Sequence, residues 1–404
     1  MGGGRMVTRR SALIGGGLGA AAVLAGARPA LASVLAPRAG AARAAGAGTT
    51  RGAAAAVGDP LWQQAAAKGI LYGSSTATWQ VQPDPDYAQL FAREAGILFT
   101  EDDLLWYRLR PSIDSGLDFS FGDQIIGFAE GNGQRVFGAH LAWDEGFGDG
   151  WTEDQLFSLP QQQARDLLFG TIQAEVSRYA GRVDAWSVAN EVTDPMTSDP
   201  NGLRDNVPWY QTIGPSYVAE SFQLAHAQDP AAILVLNEFG FETGQSAAGR
   251  RATVLQVIDF LLGQGVPVHA LGIQAHLQWR NFARQFNTTA YRNFLASVAA
   301  RGLIIMITEM DVLDDGLKAN PTTRDAGVAD VYRRYLDVAL DEPAVKVLMT
   351  FGLSDRYTWL QEDFPRKDGA ERRPLPFDAN LQPKPAYDAL VQAFANAPSR
   401  PASW

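Results

Sequence analysis

The sequence predicts an α/β fold, a single (β/α)8 TIM barrel forming one catalytic domain, and three observations carry that prediction. Eight short apolar runs of strand type alternate with helical patterns between Gly58 and Ala395, the signature of βα units around a parallel sheet. No linker-like stretch interrupts them, so two α/β domains would need a boundary inside an unbroken alternation. The runs also end in polar residues, as barrel strands do on the face that carries a site.

Taken in order, the strand-type runs are Ile70 to Gly73, Ile97 to Thr100, Arg135 to Leu141, Asp184 to Ala189, Ile233 to Leu236, Ala270 to Gln274, Leu303 to Ile307 and Val345 to Phe351. Helical spacing fills Pro85 to Ala95, Asp123 to Gly131, Leu159 to Ala180, Ser216 to Gln228, Gly249 to Gln264, Thr288 to Arg301 and Thr323 to Asp341. Continuous apolar runs such as Leu303 to Ile307 read as parallel strands covered on both faces. Their ends deliver Glu101, Asp102 and Asp103; His140, Trp143 and Asp144; Asn190 and Glu191; Asn237 and Glu238; Gln274 and His276; Glu309 and Asp311; and Asp355, Arg356 and Trp359. Trp143, Trp151, Phe351, Tyr357 and Trp359 fall in the loops of that rim. Flat aromatic faces beside carboxylates suit a sugar, whose C–H bonds pack on rings while its hydroxyls need polar partners.

Composition narrows the chemistry. With 46% hydrophobic residues, 10 Trp and 20 Phe among 404 residues, the chain can bury a large core. A net charge of −10 without a basic block after the leader argues against a nucleic-acid partner. Zero cysteines exclude disulfides and thiolate chemistry, and four histidines show no HExxH spacing. No metal and no other cofactor is expected, and a monomer is.

Residues 1–32 read as an export signal. Thr8-Arg9-Arg10-Ser11-Ala12-Leu13-Ile14 is a twin-arginine pattern, followed by a Gly/Ala-rich apolar run and the small-x-small site Ala30-Leu31-Ala32. Residues 33–57 are Ala/Gly/Arg-rich and read as a disordered linker, leaving 58–398 as the catalytic domain. The expected location is the periplasm or the extracellular space, with no membrane association after signal removal.

Two strand ends carry the candidate chemistry. Glu191 closes Val183-Asp184-Ala185-Trp186-Ser187-Val188-Ala189-Asn190-Glu191, and Glu309 closes the apolar part of Leu303-Ile304-Ile305-Met306-Ile307-Thr308-Glu309. A retaining glycosidase needs one carboxylic acid to protonate the leaving oxygen and a second carboxylate as nucleophile. Glu191 and Glu309 can fill these roles across one cleft. Trp186 and the apolar strand offer surroundings for a protonated acid, while His276, held by Asp311, would donate toward Glu309 and keep it ionised.

The chain here resembles the family 10 glycoside hydrolases, known mainly as endo-1,4-β-xylanases, over nearly all of residues 62–392. Trp186-Ser187-Val188-Ala189-Asn190-Glu191 is similar to the family's WDVVNE acid/base segment, and Ile307-Thr308-Glu309-Met310-Asp311 to its ITELD nucleophile segment. Gly272-Ile273-Gln274-Ala275-His276-Leu277 matches GIQxHL. Thr350 to Leu360 resembles TFWGVTDxYSWL, and Phe377 to Tyr387 the LLFDxxxxPKPAY tail. The resemblance implies retention, with Glu191 as acid/base, Glu309 as nucleophile, Asn190 on the sugar 2-hydroxyl, and Gln274 and His276 lining the subsite of bond cleavage.

Departures cluster at positions the resemblance assigns to the glycone side. ENEMKW becomes Glu101-Asp102-Asp103-Leu104-Leu105-Trp106, and Phe351 stands at a tryptophan position. In place of GHTLVWHSQ stands Gly138-Ala139-His140-Leu141-Ala142-Trp143-Asp144, so the first histidine falls on Ala139 unless the strand end shifts by one to present His140. Asp102, His140, Trp143, Phe351 and Trp359 remain candidate substrate-binding residues. The expected activity is hydrolysis of a β-1,4-linked polysaccharide or oligosaccharide, xylan-type or related. Rival readings are a non-catalytic glycan-binding barrel, a retaining enzyme for another β-glycan or bacterial exopolysaccharide, and a transglycosylase using the same intermediate.

Overall fold

Residues 58–402 are described by the computed structural model; the expected signal and linker lie outside the described residues. Nine parallel strands form the sheet: β1 (Leu71–Ser75), β2 (Ile97–Phe99), β3 (Arg135–Gly138), β4 (Ala185–Asn190), β5 (Ile233–Glu238), β6 (Ala270–Ile273), β7 (His276–Gln278), β8 (Ile304–Leu313) and β9 (Val345–Thr350). Neighbours pair in the order β6-β5-β4-β3-β2-β1-β9-β8, and β6 also pairs with β8, which closes an eight-stranded barrel. The short β7 pairs only with the outer half of β8.

A helix follows each barrel strand before the next: α1 (Pro85–Glu94), α2 (Ser120–Gly131), α3 (Gln161–Arg178), α4 (Tyr217–Gln228), α5 (Ala247–Gly263), α6 (Thr288–Ala299), α7 (Pro321–Ala339) and α8 (Pro385–Asn396). Capping is local in origin, since Asp84, Asn287 and Asn320 each accept an N–H from the first turn and Pro85, Pro321 and Pro385 occupy the opening turn. The last helix was not among those anticipated. It opens on Pro385, buries Tyr387, Leu390 and Phe394, and packs on α7.

Alternate strand residues face opposite ways, as the pleat requires. Ile97, Phe99, Phe137, Ala139, Ala185, Val235, Ala270, Met306, Val347 and Met349 fill the barrel interior with Phe351 above them. Leu98, Val136, Trp186, Leu234, Leu271, Ile305 and Leu348 face the helices. Gly138 makes this layering possible, because a β-carbon there would meet the Trp186 indole at 2.5 Å. Trp186 therefore serves the outer layer and is not a wall of the site, which corrects its expected part in surrounding Glu191. Trp151 does lie in the loop after β3, but it is buried there, edge-on to Trp106 and tilted against Phe147, with its indole N–H donating to the Arg110 carbonyl at 2.7 Å.

Candidate active site

The carboxyl ends of β4, β5, β6 and β8 stand in register. Asn190 pairs with Asn237, Asn237 with Gly272, and Gly272 with Met306. Glu191 follows directly with φ 58°, in the left-handed region that a non-glycine residue adopts only when its surroundings impose it. Its N–H donates to the Asn237 carbonyl at 3.0 Å, and the Arg204 guanidinium donates to its own carbonyl at 3.1 Å. Arg204 arrives there because Thr193 and Leu203 pair antiparallel and fold the following loop back on the strand end.

Glu309 is held at both carboxylate oxygens. Asn237 Nδ2 donates to Oε1 at 2.8 Å, and His276 Nε2 lies 3.1 Å from Oε2. The same Asn237 amide donates to Asn190 Oδ1 at 2.9 Å and accepts from Thr308 Oγ1 at 2.8 Å. Gln274 Nε2 completes the circuit, donating to Glu191 Oε1 at 2.9 Å and Asn190 Oδ1 at 3.3 Å. An unbroken chain of side-chain hydrogen bonds thus ties Glu309 to Glu191. Gly272 makes room for it, since a β-carbon there would lie 2.2 Å from Asn237 Oδ1.

His276 reaches Glu309 by a local device. Ala275, at φ 59°, turns the chain out of β6 and into β7, where His276 pairs with Asp311. Asp311 Oδ1 takes Nδ1 of the ring at 3.0 Å, while its Oδ2 accepts the Trp359 indole N–H at 2.7 Å. Phe351 and Trp359 pack edge-on against the imidazole at 5.3 and 5.2 Å.

Electrostatics follows from these contacts. Burial alone would push His276 down, but the charges of Asp311 and Glu309 and its bonds to both outweigh burial and raise it to about 10. An imidazolium at neutral pH therefore donates from both nitrogens. Burial would push Glu309 up, but the His276 bond and charge, the His140 charge and the Asn237 bond hold it below the usual glutamate range. Two other carboxyls nearby go the opposite way. Glu238 is pushed up to about 7 by burial despite Arg250 and the Thr193 N–H, and Asp144 to about 6 by burial despite its ion pair with Arg204.

The candidate residues thus fall in three places. Asn190, Glu191, Gln274, His276, Glu309, Asp311 and Trp359 form one network, with Phe351 packed against it. His140 lies inside the barrel mouth, its Nδ1 2.7 Å from Ser187 Oγ, flanked by Phe99 and Trp143. Ala139 sits below it in the interior cluster, so the histidine presented to the mouth is His140. Asp102 belongs elsewhere, its carboxylate accepting the Trp79 indole N–H at 2.7 Å. Asn237, the amide that joins the two glutamates, was visible only as a polar strand end; its signal was Gly272 opposite. Among the described residues, no group of three or more His, Asp or Glu side chains is arranged to hold a metal ion, and no helix is long and apolar enough to cross a membrane.

Comparison with known proteins gives concordant matches. The sequence profile described as "Glycosyl hydrolase family 10" matches residues 61–393. The chain is 30% identical over 326 residues to endo-1,4-beta-xylanase B of Thermotoga neapolitana, covering 80% of this chain and 87% of that one. It is 28% identical over 320 residues to a beta-1,4-xylanase of Dictyoglomus thermophilum, covering 76% and 84%. Among solved structures, xylanase 10B from Thermotoga petrophila RKU-1 in complex with xylobiose superposes with a TM-score of 0.72 at 29% identity, over 86% of this chain and 99% of that one.

Proposed function

The chain belongs to glycosyl hydrolase family 10 and is a glycoside hydrolase, and we propose that it cleaves β-1,4-xylan or xylo-oligosaccharides with retention at the anomeric carbon. Glu309 is the nucleophile and Glu191 the acid/base. In the first step Glu309 bonds to C1 while Glu191 gives its proton to the departing oxygen. In the second, water attacks C1, Glu191 takes the water's proton, and the bond to Glu309 breaks. His276 and Asn237 hold the nucleophile, Asp311 and Trp359 orient His276, and Asn190 and Gln274 border the sugar between the glutamates. The expected leader would export the enzyme, which suits a polymeric substrate too large to enter a cell. The xylanase names of relatives, one solved with xylobiose, support the substrate class.

One observation carries this reading: a nearly buried carboxylate kept ionised by a cation and an amide, tied by hydrogen bonds to a second, half-buried carboxylate at a neighbouring strand end. A non-catalytic glycan-binding barrel has no need to hold a buried carboxylate charged. The test is product release from xylan, with β-1,4-glucan and bacterial exopolysaccharides alongside. Xylo-oligosaccharides from xylan are the expected result; release from another polymer alone overturns the substrate class.

The acid limb of activity tests the nucleophile's support. Glu309 must be ionised to attack, and the hydrogen bond from His276, followed by the His276 charge, is what most lowers it against burial. His276→Asn removes that charge, so Glu309 rises and a smaller fraction is ionised in acid. The variant is expected to lose several-fold more kcat/KM at pH 5 than at pH 7. A pH profile with equal losses at both would assign His276 a packing role only.

A further inference from the structure

Three large apolar side chains are exposed among the described residues, and one of them is fixed in place. Trp79 is 45% exposed. It lies on a one-turn helix, Thr78–Val81, in the loop after β1. Thr78 anchors that turn, both its N–H and its hydroxyl donating to the buried Asp103 carboxylate at 2.6 and 2.9 Å. The indole N–H is taken by Asp102, and the ring stands edge-on to Tyr357 at 5.6 Å and 88°. Tyr357 is itself fixed, donating to Asp84 at 2.8 Å and packing on Tyr87 at 4.8 Å. Loops after β1, β2 and β9, three adjacent strands, thus brace one indole that remains partly exposed to solvent.

Its place relative to the chemistry follows from the loop after β9. Trp359 on that loop donates to Asp311 beside Glu309, and Tyr357, two residues earlier, packs on Trp79. A short step along one loop leads from the nucleophile's support to the exposed indole at the rim. We propose that Trp79 is the platform of a further sugar-binding subsite, taking a pyranose unit of the β-linked chain outside the bond-cleaving position, with Asp102 fixing the ring. The proposal rests on the reading of this protein as a β-1,4-glycanase. A pyranose has an apolar face of C–H bonds that matches an indole, and a ring already immobilised loses little side-chain freedom on binding. The departure at Asp102 acquires a reason, because an aspartate can only accept at this edge and so orients the indole N–H.

Trp79→Ala and Trp79→Phe, compared with the unaltered enzyme on xylo-oligosaccharides and cello-oligosaccharides from disaccharide to hexasaccharide, provide the test. For Trp79→Ala, kcat/KM on the hexasaccharide is expected to fall about tenfold, chiefly through KM, with a loss that shrinks as the substrate shortens. Trp79→Phe is expected to recover most of it. A loss equal at every length, which a structural role would give, overturns the subsite, as does no loss on the hexasaccharide. If the unaltered enzyme cleaves cello-oligosaccharides alone, the xylan reading fails while the length dependence there still decides the subsite. Cleavage of neither series overturns both.

Discussion

Glu309→Ala is expected to lower kcat/KM on the order of 10⁵-fold, because in the proposed mechanism it removes the group that forms the covalent bond and not one that merely assists. The variant's fold should survive, since alanine leaves Asn237 bonded to Asn190 and Thr308 and leaves His276 bonded to Asp311. It also leaves a cavity beside an imidazolium, a place suited to a small anion. Added azide is therefore expected to restore turnover in part on a substrate with an activated leaving group. Its attack replaces the missing carboxylate and gives an α-glycosyl azide. Activity close to that of the unaltered enzyme without azide would remove Glu309 from the nucleophile's role.

Glu191→Ala should fail differently. General acid–base assistance contributes roughly 10² to 10⁴-fold, and the need for it depends on the leaving group. On xylan, whose leaving alcohol must be protonated, kcat/KM is expected to fall about 10³-fold. On a dinitrophenyl glycoside, which departs without a proton, bond cleavage should be far less affected and the glycosyl-enzyme should accumulate. Azide then accelerates its breakdown and yields a β-glycosyl azide, the anomer opposite to that from Glu309→Ala. An equal loss on both substrates would assign Glu191 to structure or binding instead. Loss of the side chain also leaves Gln274 without its acceptor on Oε1, so a modest rise in KM is expected beside the kcat effect.

How much of this was legible in the chain depends on whether the signal was local. Apolar runs bounded by polar residues are local, and all eight barrel strands fall within a few residues of their expected positions. β8 runs on to Leu313 because its outer half pairs with His276–Gln278. That pairing depends on the left-handed turn at Ala275, which no alternation of residues announces. The network around the glutamates was readable where one strand end supplies two of its members, as with Asn190 and Glu191 or Glu309 and Asp311. Asn237 was not, because its role arises only when β5 lies between β4 and β6 and Gly272 leaves space for its amide. Aromatic residues were the least readable. Trp151 and Trp186 are buried packing while Trp79 is exposed and braced, and burial of a tryptophan is decided by loops from several strands at once.

Retention through Glu309 is tested most directly by trapping the intermediate. An activated 2-deoxy-2-fluoro β-xyloside slows both steps by destabilising positive charge at C1, while its good leaving group keeps the first step running. The account predicts one equivalent of covalent sugar, found by mass spectrometry of digested protein as an ester on the peptide containing Glu309. A label on any other residue, or an unlabelled enzyme releasing α-configured sugar first from natural substrate, would contradict it.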